Sequence, residues 1–266
     1  MLLRAVTPPL AEVIGTAAWA AAPLGRAAVL ANLMVIAPER ANAATVRHVF
    51  VEQTRNYLEI FQIPRIAPAT LIASIEHRGW ENFLNAHALG KGVILASAHL
   101  GPVSLVGQMV VAHGYEVVLP VETTRSGFQR AVNRARGSMG LQLVPTDTPL
   151  AIFRALRQKK VLGLLADRAV TGVGERVPFF GGEALIPSAH IALGLRTGAP
   201  VVPAFSGREN GRLTASFEPP LDLVSTGDRE ADVRAGLAAW TRVLERYIRN
   251  APDQWTVFER VWSAER

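Results

Sequence analysis

Three ionisable side chains, His99, Glu122 and Asp167, each come directly after a stretch of apolar residues. Imidazole has a pKa near neutrality, so a histidine in such a position is a natural general base for a hydroxyl or an amine. Backbone N–H groups at the start of a helix after His99 would stabilise an oxyanion. One potential base and two carboxylates therefore predict acid–base chemistry, provided that the fold brings them together.

Arginines follow the same apolar stretches. Arg125 and Arg136 belong to a basic segment that is predicted to be a helix, and their guanidinium groups suit a phosphate or pyrophosphate. The alternative is structural: Glu122 and Asp167 would only pair with Arg125 and Arg168, and the arginine-rich helix face would simply be solvated. The residues alone leave both interpretations open.

A parallel sheet is the element that would position these side chains. Four stretches are apolar enough to be buried strands, and predicted helices separate them. The strands are predicted over residues 93–98, 115–121, 141–144 and 161–166. Because the carboxyl ends of parallel strands share an edge where ligands bind, His99, Glu122 and Asp167 are expected on one rim. From its position alone, His99 also has a second interpretation, as a structural turn residue.

The alternation of strands and helices predicts an α/β fold with a mostly parallel sheet and helices on both faces. An α/β domain over residues 66–266 is expected to follow an apolar N-terminal helical extension over residues 1–65. Within the domain, the pattern predicts short helices over residues 66–88 with solvated His77 and His87, a polar loop over residues 171–182 and an edge strand over residues 212–218.

Composition narrows the class of partner. The chain has 28 basic and 22 acidic residues, a net charge of +6, and 49% hydrophobic residues. A basic and rather apolar protein suits an anionic membrane surface or a nucleic acid. Basic runs interleaved with aromatic residues are not evident, which favours the membrane and predicts no nucleic-acid partner. The absence of cysteine excludes disulfides, thiolate metal sites and a cysteine nucleophile.

The N-terminal segment from Leu10 to Ala37 is rich in alanine and leucine. Glu12, Pro23 and Arg26 interrupt it, so no stretch of about 20 apolar residues predicts a transmembrane span. Two short apolar helices are expected, either lying on a bilayer or packing on the domain. No phosphate loop, zinc-protease motif or nucleophile elbow occurs in the chain, and no metal site or cofactor is predicted.

Five short motifs occur in a specific order. They are Ala98-His99-Leu100-Gly101, Leu164-Leu165-Ala166-Asp167, Val177-Pro178-Phe179-Phe180-Gly181, Pro187-Ser188-Ala189-His190 and the run from Leu195 to Pro203. In this order the sequence resembles the bacterial lipid A biosynthesis lauroyl/myristoyl acyltransferases and the related phosphatidylinositol mannoside acyltransferases, in the lysophospholipid acyltransferase superfamily. The resemblance covers nearly the whole chain, including its ending Ala251-Pro252-Asp253-Gln254-Trp255.

The resemblance implies a glycerol-3-phosphate acyltransferase-like α/β sheet and an enzyme bound to the cytoplasmic face of the inner cell membrane, peripherally or monotopically. Such an enzyme moves an acyl chain from acyl-CoA or acyl carrier protein to a hydroxyl of a glycolipid or lysophospholipid. His99 would be the general base, acting without a covalent acyl-enzyme. The candidate substrate-binding residues are Arg125, Arg136, Arg168, Phe179 and Phe180.

Ser104 departs from the pattern of these acyltransferases, in which the histidine is followed five positions later by Asp or Glu. A serine can orient the ring of His99 but cannot offset the charge of an imidazolium. Three explanations are open: Glu122 or Asp167 supplies the carboxylate, the enzyme is slow but sufficient, or catalysis has been lost. The sequence thus predicts an O-acyltransferase, with a non-catalytic lipid- or acyl-CoA-binding protein as the alternative.

Overall fold

The computed structural model describes residues 2–169 and 172–262, with side chains from residue 7 onward. Its nine strands are β1 (Ile75–Arg78), β2 (Val93–Ser97), β3 (Val117–Val121), β4 (Gln142–Pro145), β5 (Val161–Leu165), β6 (Glu175–Phe179), β7 (Gly182–Ile186), β8 (Val201–Glu209) and β9 (Arg212–Phe217). Seven of these strands form one sheet, in the order β1-β9-β8-β2-β5-β3-β4. Strands β8, β2, β5, β3 and β4 are mutually parallel, which confirms the predicted sheet.

Helices cover both faces of the sheet, as predicted. They are α1 (Leu2–Ala21), α2 (Pro23–Ile36), α3 (Ala43–Ile60), α4 (Pro68–Ser74), α5 (Trp80–Ala88), α6 (Val103–Ala112), α7 (Gly127–Gly137), α8 (Pro149–Arg157), α9 (Ala189–Thr197) and α10 (Arg229–Asn250). Short 3₁₀ turns occur at Pro38–Arg40, Ile63–Arg65 and Pro252–Gln254.

Strand β2 shows how one apolar run serves two cores. Val93 and Leu95 pack with α5, α6 and α7 on one face of the sheet, whereas Ile94 and Ala96 pack with α8, α9 and α10 on the other. Successive side chains of a strand point to opposite faces, so a central strand of an α/β sheet must be apolar throughout. All five residues of β2 are buried.

Three secondary-structure predictions were wrong. Residues 66–88 include the strand β1, in which only Ile75 is buried, so no apolar alternation marks it. Most of the predicted polar loop is the β6–β7 hairpin; residue 171, where that loop would begin, lies outside the described residues. Strand β9 is not at the edge, because β1 pairs with its far side.

The environment of the two flanking histidines also differs from the prediction of solvated rings. His77 packs against Trp80 and His113, and burial lowers the pKa of His77, with a further contribution from His113. His87 lies against the rings of Phe83 and Tyr115. Both histidines belong to an aromatic cluster, which their polar sequence neighbours do not reveal.

The N-terminal helices pack on the domain. In α1, Glu12 forms an ion pair with Arg47 of α3, and in α2 the amide of Asn32 donates to the carbonyl of Glu259 at 2.9 Å. Within the described residues no single helix is both long and apolar enough to cross a bilayer; α1 and α2 together meet that composition, but they are bent by 99°. The division of the chain near residue 65 stays a prediction.

Candidate active site

The site begins where β2 ends. After Ser97 the chain leaves the sheet, passes through Ala98 to His99, and turns into α6. The turn requires Gly101, whose φ of +57° lies in the left-handed region and whose missing Cβ would lie 2.9 Å from the carbonyl oxygen of Ser206. Only glycine meets both conditions without strain. The backbone of this turn thus fixes the position of His99 at the carboxyl edge of the sheet.

A buried carboxylate lies beside the His99 ring. Asp167 follows β5, the strand next to β2, and its Oδ1 is 2.8 Å from His99 Nδ1. The backbone N–H of His99 donates to Oδ2 of the same carboxylate at 3.0 Å. The Asp167 side chain is fully buried, whereas 25% of the His99 side chain is exposed. When Nδ1 carries the proton donated to Asp167, Nε2 is the basic nitrogen of the ring.

The carboxylate of Asp167 also accepts a hydrogen bond from Trp255 Nε1, at 2.8 Å. Burial by itself would raise the pKa of Asp167. The charge of His99, with hydrogen bonds from His99 and Trp255, outweighs burial, so that the pKa of Asp167 is lowered. Asp167 therefore remains an anion next to the ring, which suits it to stabilise an imidazolium.

The side chain of Ser104 is hydrogen-bonded to an arginine. It is in the first turn of α6, where its hydroxyl accepts a hydrogen bond from Arg136 Nε at 3.1 Å. Arg136 is half-buried at the end of α7, and burial lowers the pKa of Arg136, opposed by the nearby Tyr57. Ser104 and Arg136 thus form a second polar pair next to the turn that carries His99.

Glu122 and Arg125 are placed further along the sheet edge. Glu122 is exposed at the end of β3 and lines an open cleft with Arg130 and Asn133. The side chain of Arg125 is exposed, and its carbonyl accepts a hydrogen bond from Arg130 at 2.6 Å. In the part of the chain that the structure describes, Glu122 forms no hydrogen bond or ion pair with His99.

The remaining predicted residues are Arg168, which follows Asp167 in the chain, and two phenylalanines of the β6–β7 hairpin. Arg168 forms an ion pair with Glu259. Phe179 is fully buried and its ring stacks on Trp262 with the ring centroids 5.3 Å apart. Phe180 starts the two-residue turn between β6 and β7 with a φ of +50°, and its half-buried ring lies under Arg249.

Trp255 is a residue of the site that the chemistry of the sequence does not predict. It lies 88 positions after Asp167, and no local periodicity or spacing links an indole to a carboxylate over that distance. In the sequence, Trp255 is marked only as the last residue of the motif Ala251-Pro252-Asp253-Gln254-Trp255. Among residues 2–169 and 172–262, no group of three or more histidine, aspartate and glutamate side chains could hold a metal ion.

A histidine paired with a buried carboxylate at the carboxyl edge of a mostly parallel sheet is typical of α/β enzymes that use acid–base chemistry. The family model for bacterial lipid A biosynthesis acyltransferases matches residues 1–264. The chain belongs to this family, and it is an O-acyltransferase.

Curated relatives agree with the family. The phosphatidylinositol mannoside acyltransferase of Mycobacterium tuberculosis is 28% identical to the chain over 224 residues, which are 79% of this chain and 68% of that protein. The phosphatidylinositol mannoside acyltransferase of Mycolicibacterium smegmatis is 24% identical over 226 residues, 83% of this chain and 73% of that protein. The chain is therefore similar to these enzymes over most of the length of both proteins.

Proposed function

We propose that this enzyme transfers a fatty acyl chain from a thioester, acyl-CoA or acyl carrier protein, to a hydroxyl of a glycolipid, with His99 as general base. The observation that carries the proposal is the 2.8 Å contact between His99 Nδ1 and Asp167 Oδ1. Because Nδ1 is bonded to Asp167, Nε2 is the ring nitrogen that can take a proton. One quarter of the His99 side chain is exposed, so a substrate can reach it. A glycolipid acceptor is supported by the names of the mycobacterial relatives; a lysophospholipid is the other acceptor of the same chemistry.

The reaction follows from this geometry. His99 Nε2 removes the proton of the acceptor hydroxyl while the oxygen attacks the thioester carbonyl carbon, so no acyl-enzyme forms. The tetrahedral intermediate then expels the thiolate, which takes the proton back from the imidazolium and leaves as a free thiol. Asp167 holds the ring in the required tautomer and offsets the positive charge between the two steps. Three N–H groups at the start of α6 already donate to backbone carbonyls and are not free to bind the oxyanion; they belong to Val103, Leu105 and Val106.

A membrane surface supplies the lipid acceptor in this proposal. Several large apolar side chains of α1 and α2 remain exposed although both helices pack on the domain; they are Leu10, Val13, Ile14, Leu24, Leu30, Met34 and Val35. Exposed apolar helix faces on a protein of net charge +6 suit the interface of an anionic bilayer. We place the enzyme peripherally on the cytoplasmic face of the membrane, with α1 and α2 in contact with lipid.

The test is the release of free CoA from a panel of acyl-CoAs, with and without membrane lipid extract. Asp167→Asn keeps the shape of the side chain but favours the wrong tautomer of His99, and the same change in a serine protease lowers kcat about 10⁴-fold. We expect wild type to release CoA in a lipid-stimulated manner, His99→Ala to be inactive, and Asp167→Asn to lose at least about 10³-fold in kcat. Flotation of the same preparations with liposomes reports the membrane contact.

Asp222→Asn is the matched control, because Asp222 is an exposed carboxylate on the loop before α10; it is expected to behave as wild type. Equal rates in wild type and His99→Ala, with acyl-CoA and then with acyl carrier protein donors, would overturn the proposal. If neither protein released CoA, a lipid-binding protein would be favoured, the function that Ser104 in place of a carboxylate supports.

A further inference from the structure

A strap from the end of the chain lies over the catalytic turn. We call residues 252–257 the C-terminal strap. The carbonyl of Gln254 accepts a hydrogen bond from the N–H of Gly101 at 3.0 Å. The N–H of Thr256 donates one to the carbonyl of His99 at 2.8 Å. Between these two bonds, Leu100 and Trp255 pair as an isolated antiparallel bridge. The strap is therefore joined, residue for residue, to the turn that presents His99.

The strap is also anchored to the sheet. The side chain of Gln254 accepts from the backbone N–H of Arg208 and donates to its carbonyl, both at 2.8 Å. Arg208, at the end of β8, is itself held by an ion pair with Glu52 of α3. A strap fixed at both of these places has little freedom to move, which allows a side chain on it to set the orientation of a neighbouring group.

We propose that Trp255 is a positioning residue, whose indole N–H holds the Asp167 carboxylate in the rotation that presents Oδ1 to His99. This inference rests on the proposed function of the His99–Asp167 pair. Trp255 Nε1 and the backbone N–H of His99 both donate to Oδ2, at 2.8 and 3.0 Å, and the His99 ring bonds to Oδ1. With Oδ2 bonded from two sides, a rotation of the carboxylate would break two hydrogen bonds at once.

The need for such a residue follows from burial. A fully buried carboxylate is favoured as the neutral acid unless donors stabilise its charge. A neutral Asp167 could not offset the imidazolium of His99. At metal sites, the side chains that bind the metal are oriented by hydrogen bonds from further residues behind them, and the Asp167 carboxylate needs a comparable partner. Trp255 supplies such a partner for Asp167. Ser104, five positions after His99, is bonded to Arg136.

The competing interpretation is that Trp255 only fills space. Its ring belongs to an aromatic group with Phe179 and Trp262, with centroid distances of 6.5 and 6.2 Å. Two variants separate the roles. Trp255→Phe removes the N–H with part of the ring, and site-specific 3-benzothienylalanine at position 255 keeps the bicyclic shape but replaces the N–H with sulfur. The second variant tests the proposal even where the first fails to fold.

The matched control is Trp262→Phe. Trp262 is in the same aromatic group, but its indole N–H donates to the carbonyl of Phe179, at 3.0 Å, and not to a carboxylate. A loss of packing would affect both tryptophan variants alike. A loss of the carboxylate hydrogen bond would affect only position 255.

The first measurement is the pH dependence of kcat/KM for CoA release with acyl-CoA and lipid extract. A carboxylate that loses a donor binds a proton more tightly, so the His99–Asp167 pair is protonated at higher pH. We expect both position-255 variants to move the acid limb upward by about one pH unit and to lower kcat about tenfold, with KM unchanged within about twofold. Trp262→Phe is expected to leave the acid limb in place. An unmoved limb in the benzothienyl variant would overturn the proposal.

A second measurement does not depend on activity. The Nδ1–H proton of His99 and the carboxyl carbon of Asp167 are followed by NMR during a pH titration of wild type and the benzothienyl variant. A raised Asp167 titration and an altered Nδ1–H signal support the proposal, even in a protein that releases no CoA, in which case the proposed function alone fails. An active wild type whose two signals are identical in the variant would instead leave the function standing and exclude the role of Trp255.

A double-mutant cycle locates the effect. If Trp255 acts through Asp167, the substitution Trp255→Phe has no further effect on kcat in an Asp167→Asn protein, because the oriented carboxylate is already absent. Multiplied losses in the double variant, with both proteins folded by near-ultraviolet circular dichroism, would place the action of Trp255 elsewhere and contradict the proposal.

Discussion

At the scale of single residues, the partner of His99 comes from the neighbouring strand and not from the helix that follows it. The hydroxyl of Ser104 is bonded to Arg136, while Asp167, at the end of β5, reaches the ring. Position 104 is therefore coupled to the half-buried guanidinium of Arg136. A change there is expected to act through the charge of Arg136, which we propose contacts an anionic part of the substrate.

Ser104→Asp tests this coupling. An aspartate at 104 would form an ion pair with Arg136 and neutralise its charge, leaving the His99–Asp167 pair as it is. We expect kcat within about twofold of wild type and a KM for acyl-CoA that rises about five- to tenfold, the size of one ordinary hydrogen bond. Initial rates over a range of acyl-CoA concentrations measure both constants.

Ser104→Ala is the control for that variant, since it removes the hydroxyl without adding charge. A markedly higher kcat in Ser104→Asp would contradict the expectation. It would mean that an acid at position 104 serves His99 directly and that Asp167 is not a sufficient partner.

At the scale of elements, the turn between β2 and α6 depends on one backbone conformation. Gly101 has a φ of +57°, and a Cβ there would also approach Cα of Gly207 to 3.1 Å. Gly101→Ala is expected to destabilise the protein by about 2 kcal/mol and to displace His99, lowering kcat more than about tenfold. Urea unfolding and CoA release measure the two effects.

Gly107 of α6 provides the comparison within the same segment. Apart from its chain neighbours and the backbone of its own helix, no heavy atom of the described residues lies within 4 Å of the position of its missing Cβ, and its backbone is helical. Gly107→Ala is therefore expected to raise the free energy of unfolding by about 0.5–1 kcal/mol, without loss of activity. Equal behaviour of the two alanine variants would show that the left-handed turn at Gly101 is not required.

Elements with continuous apolar runs were predictable, whereas elements defined by their partners were not. The strand that ends near His99 is buried on both faces, so its composition alone identifies it. The β6–β7 hairpin has polar outward residues, and its turn is Phe180-Gly181 instead of a typical Asn-Gly. Sheet order is also absent from local patterns: that β5 lies beside β2, so that Asp167 and not Glu122 meets His99, depends on contacts between distant segments.

At the scale of the whole molecule, the core that supports Asp167 contains a buried histidine. His190, in the first turn of α9, is fully buried with its ring 5.1 Å from that of Trp240. Trp240 in turn donates a hydrogen bond to the carbonyl of Ala166, at 2.9 Å, next to Asp167. Burial lowers the pKa of His190 to about 3, and neither ring nitrogen has a hydrogen-bond partner among the residues that the structure describes. His190 is therefore neutral in the folded protein between about pH 5 and pH 7.

This neutral histidine makes the fold sensitive to mild acid. His190 has a lowered pKa in the folded state, so below the ordinary value of about 6.5 the unfolded chain binds a proton that the folded chain does not. Stability is thus lost as the pH falls through 6.5 and continues to fall until the folded pKa is reached. Between pH 7 and pH 5 the loss amounts to about 2 kcal/mol from this group. The lowered pKa of Asp167 contributes only below about 3.8, outside that window.

His190→Phe tests the argument, because it keeps a flat ring against Trp240 and removes the ionisable group. The free energy of unfolding is measured in urea at pH 7 and at pH 5 for both proteins. The decrease between these pH values is expected to be about 2 kcal/mol smaller in the variant than in wild type. Ile191→Val is the control: Ile191 is a fully buried neighbour, and its truncation lowers stability at both pH values while retaining the wild-type difference. If His190→Phe and wild type lost the same stability between pH 7 and pH 5, His190 would not be the source of the acid sensitivity.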